Sequence, residues 1–333
     1  MDVFSYFVAD FTHSLHPDLK IMLMRRLNSF LILFLALSFS SKQTKAQYYF
    51  FDDQFYDNPV VFELGGNIGT MNCLTDLGGN QGIGKKFVKD LNYGKQTLCG
   101  GISFSASFRN AITARLEANF GKVTADDAVL SSVPESDIAR RRFNRNLNFQ
   151  SKITEFSLVT EFHPFFLFVD WSLKDQDPPR FSPYVAGGIG FYSFNPQAKI
   201  ENKLIDLQPL STEGQGLKEY PDKQPYKLKQ FNFPVGGGLR YELSPLITLR
   251  AELLYRILTT DYLDDCSGNY IDPEKYALNG FTGVRLANAL ALNNREINGQ
   301  DTKPGGKRGS PLQNDGYFTF QFKVSLSLRE RIK

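Results

Sequence analysis

The chain has 333 residues, of which 42% are hydrophobic and 22% are charged, and its formal net charge is +3. Because 38 Lys and Arg residues stand against 35 Asp and Glu residues, the sequence lacks the basic surplus that nucleic-acid binding requires, and we exclude nucleic acid as a partner. It also lacks a run of about 20 apolar residues, which excludes a membrane protein built from helices, although not one built from strands.

The first 46 residues have the pattern of a secretory signal peptide. Arg25 and Arg26 precede an apolar run over residues 30–39, and a polar stretch leads from there to Ala46. We predict cleavage after Ala46, so that residues 1–46 are the signal peptide and residues 47–333 the mature protein. Acidic residues before the two arginines do not fit such a signal, so we also predict that residues 1–21 precede the true translation start, at Met22 or Met24.

Apolar and polar residues alternate with period two in eight segments of the mature chain, which is the primary signal of a strand. In the last segment, Phe318, Phe320 and Phe322 alternate with Thr319 and Gln321. The segments are longer than most strands of soluble proteins and long enough to cross a hydrocarbon layer when tilted. The predicted strands are 60–71, 98–108, 112–122, 152–163, 182–194, 233–243, 247–257 and 318–328.

The connections between these strands alternate between long and short. Very short turns, at 110–111 and 244–246, follow the second and sixth strands, and long loops follow the odd-numbered ones. Short periplasmic turns and long outer loops are typical of outer-membrane barrels. We therefore predict an all-β fold with a single domain, an eight-stranded antiparallel transmembrane up-and-down β-barrel. A soluble β-sandwich or a lipocalin-like barrel is the alternative, but neither requires short turns at one end only.

Charged residues fall on the polar face of the predicted strands. Facing lipid, each basic residue near the bilayer midplane would cost about 2–4 kcal/mol, whereas opposite charges can pair inside an eight-stranded barrel whose lumen side chains nearly fill. We therefore predict a salt-bridged, structural lumen and no open pore. The predicted lumen charges are Glu63, Arg115, Glu117, Glu155, Glu161, Arg240, Glu242, Arg250 and Glu252.

The sequence offers little for catalysis or metal binding. His163 is the one histidine of the predicted mature chain and no G-x-S-x-G motif accompanies it, so we interpret it as a surface or interface residue. Asp261, Asp264 and Asp265 could chelate Ca²⁺ but lack the EF-hand spacing, and a solvated turn is the preferred interpretation. We predict no enzymatic activity, cofactor or metal. The disulfide state stays open for three cysteines, Cys73, Cys99 and Cys266.

Distinctive multi-residue strings occupy the predicted loops and the strand ends beside them, at 63–66, 145–149, 194–198, 207–216, 260–272, 308–311 and 314–317. Over residues 60–328 these strings resemble the DUF6089 family of outer-membrane barrels, which includes the PorG-type component of the type IX secretion system. Cys266 and Gly316 depart from the family pattern, which has an aliphatic residue and a Trp there. We single out as the loop motif Gln208, Pro209, Thr212, Glu213, Gly214, Gln215, Gly216, Asp261, Tyr262, Asp264, Asp265 and Gly268.

The resemblance implies a non-enzymatic outer-membrane barrel of a Gram-negative bacterium. Its partners would be outer-membrane lipids and periplasmic ring proteins of the PorK and PorN type. Its role would be that of a structural, anchoring component of a type IX secretion and gliding motility assembly. The charged lumen leaves a narrow channel or a small-ligand-binding barrel as an alternative function. A lipid-modifying barrel enzyme is a third, which the single histidine and the missing nucleophile motif disfavour.

Overall fold

The computed structural model describes residues 59–79, 95–169, 179–297 and 303–328. The predicted signal peptide and translation start lie outside these residues. Within the described ranges, no helix is long and apolar enough to cross a membrane.

Eight long strands form a closed antiparallel barrel, which confirms the predicted fold. They are β1 (Val60–Leu74), β2 (Thr97–Phe108), β3 (Ile112–Asp126), β4 (Asn148–Phe162), β5 (Phe181–Ser193), β8 (Lys229–Ser244), β9 (Ile247–Leu258) and β10 (Gly316–Ser327). Strands that follow one another in the barrel pair with each other, and pairing of β1 with β10 closes it. Two short strands that the alternation did not predict, β6 (Pro196–Ile200) and β7 (Lys203–Asp206), form a hairpin that pairs with the start of β4.

The barrel has its apolar face outside and its polar face inside, the reverse of a soluble protein. Ile68 and Leu98 project outward and are 64% and 76% exposed, whereas Arg115 and Lys323 project inward and are 1% and 2% exposed. Contact of such an outer face with water would cost about 25 cal/mol for each Å² of apolar area. The alternation therefore produces a surface that suits lipid hydrocarbon.

Both faces reverse their polarity where the strands approach the long loops. On β3 the outward side changes from the exposed Phe120 to Lys122 and Thr124, and the inward side becomes apolar, with Val123 and Ala125 buried. The ladder between β3 and β4 nevertheless continues beyond the predicted strand ends. The prediction was too short here because the apolar residues move to the opposite face once the strands leave the apolar belt.

The short connections lie together at one end of the barrel, which we call the turn end, as predicted. Arg109 and Asn110, with φ of 48° and 53°, form a left-handed turn between β2 and β3. Between β8 and β9, the Ser244 hydroxyl accepts the Ile247 N–H at 3.0 Å. The connection between β4 and β5 contains a 3₁₀ helix, Pro164–Phe168.

At the opposite end the long loops fold over the barrel mouth. We call this part the cap, and it comprises the described residues of 75–79, 127–147, 194–228, 259–297 and 303–315. Besides the β6–β7 hairpin, it contains α1 (Arg140–Arg145), α2 (Glu274–Leu278), α3 (Gly283–Asn293) and 3₁₀ turns at Asp127–Leu130 and Gln208–Leu210. Most of its buried apolar side chains pack in one cluster with the inward-facing strand ends, among them Met71, Tyr192, Leu258 and Tyr317. The mouth of the barrel is therefore covered by a packed core.

An arginine at the middle of the apolar belt should destabilise the barrel. Leu116 projects outward between Phe104 and Leu158, so Leu116→Arg should lower the free energy of unfolding by about 2–4 kcal/mol. The control Thr124→Arg lies on the same face of β3 beyond the belt, where about 0–1 kcal/mol is expected. Urea unfolding in vesicles, followed by heat-modifiable gel migration, measures both. Equal losses at the two positions would contradict this placement of the belt.

Candidate functional site

Charged side chains from β3, β4, β9 and β10 meet inside the barrel around Arg115. Its guanidinium pairs with Glu117 at 2.6 Å, with Glu252 at 2.5 Å and with Glu161. Lys323 pairs with Glu252 at 2.6 Å and also with Glu117. All five side chains are buried. The group therefore spans the lumen and joins β3 and β4 to β9 and β10, which do not pair with them in the sheet.

A second group of ion pairs continues from the first. Arg250 pairs with Glu63 at 2.6 Å and with Glu161 at 3.5 Å, which connects it to the Arg115 group. Arg240 pairs with Glu242 at 3.5 Å and approaches Glu63 at 4.0 Å. These two groups bring together all the charges that we selected for the lumen except one.

The remaining selected charge, Glu155, belongs to a third group that reaches the underside of the cap. Arg256 pairs with Glu155 at 3.1 Å, and the Asn232 amide donates to Glu155 at 2.9 Å and to the Tyr317 hydroxyl at 3.0 Å. Arg256 and Lys323 are not among the predicted lumen charges, although both lie on the polar face of an alternating strand. The signal that could have found them is charge balance, because the selected carboxylates outnumber the selected arginines.

His163 closes the lumen at the turn end, so its interpretation as a surface or interface residue was wrong. The side chain is fully buried, its Nε2 lies 3.0 Å from Glu161, and its ring centroid lies 4.9 Å from that of Tyr184. The following 3₁₀ helix brings Phe166 beneath the guanidinium of Arg240, 5.3 Å from the ring centroid. The sequence could not show this because the helix after His163 folds back under the barrel.

In the cap, the carboxylate of Glu213 joins two long loops. It accepts the backbone N–H groups of Ser267 at 3.0 Å and Gly268 at 2.8 Å. Arg308 pairs with it at 3.1 Å, and the Tyr262 hydroxyl donates to it at 3.4 Å. Glu213 is fully buried. Residues of the loop motif that are distant in sequence therefore meet on one side chain.

Asp265 forms a second junction beside Glu213. The Tyr226 hydroxyl donates to it at 2.7 Å, Thr212 donates to its other oxygen, and Arg308 lies 3.5 Å away. Burial raises the pKa of Asp265 to about 6, although Arg308 acts in the opposite direction. Asp265 has a φ of 63°, a left-handed conformation that aspartate tolerates.

Arg145 joins further loops of the cap. Its guanidinium donates to both oxygens of Asp127 at 2.9 Å. It also donates to the carbonyl of Arg308 at 2.7 Å and to that of Asp76 at 2.8 Å. Asp127 in turn accepts the Gly78 N–H at 3.0 Å. The cap is therefore cross-linked by charged hydrogen bonds as well as by its apolar core.

The other residues of the loop motif support the local backbone. Gly214 and Gly216 have φ of 86° and 77°, where a Cβ is strained. The Gln215 side chain accepts the Glu213 N–H at 3.1 Å. Gln208 begins the 3₁₀ turn that contains Pro209, and its amide donates to a carbonyl of the same loop at 3.3 Å.

The three aspartates considered for Ca²⁺ do not converge on one point, and they are buried rather than solvated. Asp265 faces Arg308, Asp264 accepts the Cys266 N–H at 2.9 Å, and the Asp261 carboxylate has no hydrogen-bond partner. Across the described ranges, no group of three or more His, Cys, Asp or Glu side chains could hold a metal ion.

All three cysteines are buried free thiols, which answers the question that their odd number raised. The Cys266 thiol donates to the carbonyl of Arg308 at 3.2 Å. Burial raises its pKa well above the usual value. A thiol in this state is unreactive, and its contribution is packing.

Comparison with known proteins gives a family match and similar solved structures. The family described as a domain of unknown function, DUF6089, matches residues 49–281. No curated protein matches the chain. The chain is similar to Neisserial surface protein A, at 9% identity over 80% of this chain and 96% of that one, with a TM-score of 0.34. It is similar to OprG from Pseudomonas aeruginosa, at 9% identity over 81% and 96% of the two chains, with a TM-score of 0.35.

Removing the central guanidinium of the lumen should destabilise the barrel strongly. Arg115→Leu leaves Glu117, Glu161 and Glu252 short of a cation, and loss of one partner of a buried ion pair costs about 3–5 kcal/mol. The matched variant Arg141→Leu, at an exposed arginine of α1, should change the stability by less than about 0.5 kcal/mol. Urea unfolding measures both. Adding Glu161→Gln to Arg115→Leu should recover part of the loss; strictly additive losses would count against a coupled network.

Neutralising the Glu213 junction should loosen the cap and leave the barrel intact. Glu213→Gln removes the carboxylate that two backbone N–H groups and Arg308 share, a loss of about 1–3 kcal/mol. Limited proteolysis should then cut within residues 259–315 about tenfold faster or more. The control Glu274→Gln, at the exposed start of α2, should leave the rate unchanged. Equal protection of all three proteins would show that Glu213 does not hold the loops together.

Proposed function

This chain belongs to the DUF6089 family, and we propose that it is a non-enzymatic outer-membrane β-barrel that anchors a type IX protein secretion assembly, including one that drives gliding motility. The observation that carries the proposal is that paired charges cross the lumen and a packed cap covers the mouth. A barrel filled in this way is a rigid body in the membrane and a poor passage for solutes. Its function then resides in the surfaces that it presents to lipid and to other proteins.

The lipid-facing surface supports the membrane assignment. The outward residues of every barrel strand include exposed large apolar side chains, and they give way to polar ones toward the cap on β3. Aromatic rings accompany the cap side of the belt, where Phe191 and Phe231 pack with centroids 5.4 Å apart. A belt flanked by aromatic residues is the arrangement by which outer-membrane barrels are held in the bilayer.

The turn end supports an anchoring role. With the short turns in the periplasm, the 3₁₀ helix Pro164–Phe168 faces periplasmic proteins. Phe166 is buried under the barrel, but Phe165, Leu167 and Phe168 are exposed, Phe168 to 86%. Apolar side chains grouped on a surface mark a contact with protein or membrane. We assign this surface to periplasmic ring proteins of the PorK and PorN type.

Deleting the gene tests this function. Export of type IX cargo should stop, while general envelope integrity stays intact; normal export in the deletion strain would refute the secretion role. Complementation with Leu167→Ser/Phe168→Ser should restore a folded barrel that no longer co-purifies with ring proteins from solubilised membranes. The control Leu246→Ser, at another exposed position of the turn end, should retain them. Steady conductance of the purified protein in planar bilayers would instead favour the channel alternative.

A further inference from the structure

Four aspartates from two loops lie together in the cap: Asp76, Asp261, Asp264 and Asp315. We call them the aspartate cluster. The Asp315 carboxylate accepts the N–H of Leu263 at 2.8 Å, which holds it against the loop segment that carries Asp261 and Asp264. The charges of the other three carboxylates all act on Asp315. The folded cap therefore concentrates like charges that would be far apart in an open one.

Several oxygens of the aspartate cluster are buried without a hydrogen-bond donor. Asp264 is 2% exposed and Asp261 is 8% exposed. The hydroxyls of Thr75 and Ser267 lie near these two carboxylates, but Oδ2 of Asp264 and both oxygens of Asp261 have no partner in hydrogen-bond geometry. A buried carboxylate anion without a donor costs several kcal/mol. Protonation removes that cost, because a neutral carboxyl group can donate to a neighbouring carboxylate.

The buried arginines of the cap compensate the aspartate cluster only in part, through the charge of Arg145 beside Asp76. Arg308 is engaged by Glu213 and Asp265, and Arg145 pairs with Asp127 through both of its oxygens. Other titratable or charged groups of the described residues also face the cluster. Those in the loops are Arg145, Glu213, Tyr226, Cys266 and Lys307. Those in the strands are Cys73, Tyr192 and Tyr255. Lys307 is exposed, so solvent screens its charge.

We propose that the aspartate cluster is a proton-binding site that keeps the cap closed while its members share protons and releases the cap when they ionise. The site belongs to the cap alone and does not depend on a role in secretion. Its ligand is the proton, and the element that it controls is the junction of the loop after β1 with the loop between β9 and β10.

The direction of the pKa shifts of the aspartates gives the pH range in which the cap opens. Burial raises the pKa of Asp261 to about 7 and those of Asp264 and Asp315 well above their ordinary value, and the mutual repulsion of the carboxylates acts in the same direction. An opened loop would release these protons near pH 4. The closed cap thus binds more protons than the open one, and its stability is greatest at acidic pH and declines as the pH rises through about 7.

Amide hydrogen exchange of the purified full-length protein, corrected for the intrinsic pH dependence, tests the proposal. Exchange within residues 259–272 should increase at least about tenfold between pH 5 and pH 8, since each pKa unit of differential proton binding is a tenfold change in opening. Exchange of the central β3 amides, residues 112–120, should not change. A cap equally protected at both values would overturn the proposal.

Replacing an aspartate of the cluster by asparagine removes the negative charge of the side chain and keeps its shape. Asp264→Asn/Asp315→Asn should hold the cap closed at pH 8 and abolish most of the pH dependence, and Asp264→Asn alone should have a smaller effect in the same direction. The control Asp222→Asn, at an exposed aspartate of another cap loop, should keep the full dependence. Heat-modifiable migration verifies that each variant is folded. If Ca²⁺ closed the wild-type cap at pH 8 but left the double variant unaffected, the site would be one for a divalent cation, and the proton proposal would be overturned.

Discussion

Ion pairing around Arg115 is the constraint on which the barrel depends. An alternating strand must place one face in the lumen and the other in contact with its surroundings. Because each isolated buried charge costs several kcal/mol, the polar face can lie inside only as a set of pairs. Arg115, Lys323, Arg250 and Arg256 supply the cations that the lumen carboxylates need. With that condition met, the apolar face is free to form the lipid-facing belt.

The buried charges of the cap are paired less completely than those of the lumen. Arg145 and Arg308 compensate Asp127, Glu213 and Asp265, but the cap buries further carboxylates without a matching cation. The lumen is therefore held by ion pairs, whereas part of the cap depends on protons.

The barrel strands were predictable because the period-two alternation within each segment is enough to indicate a strand. The alternation in 318–328 is visible without knowledge of any partner strand. The β6–β7 hairpin was missed because its strands are short and lie in the cap, where no lipid face enforces alternation. His163 was misassigned for a related reason, since its burial depends on where the next helix folds. The role of Glu213 was invisible because Ser267, Gly268 and Arg308, which bind its carboxylate, lie more than 50 residues away in the sequence.

The sequence by itself determined the number of barrel strands, the inward face of each of them and the end at which the short turns lie, because period-two alternation and turn length are local properties. Only the tertiary structure decided which charges pair across the lumen, that Phe166 and His163 close one end, and that four aspartates meet in the cap. These features depend on contacts between distant segments, and a buried charge acquires its energy from the neighbours that folding brings to it.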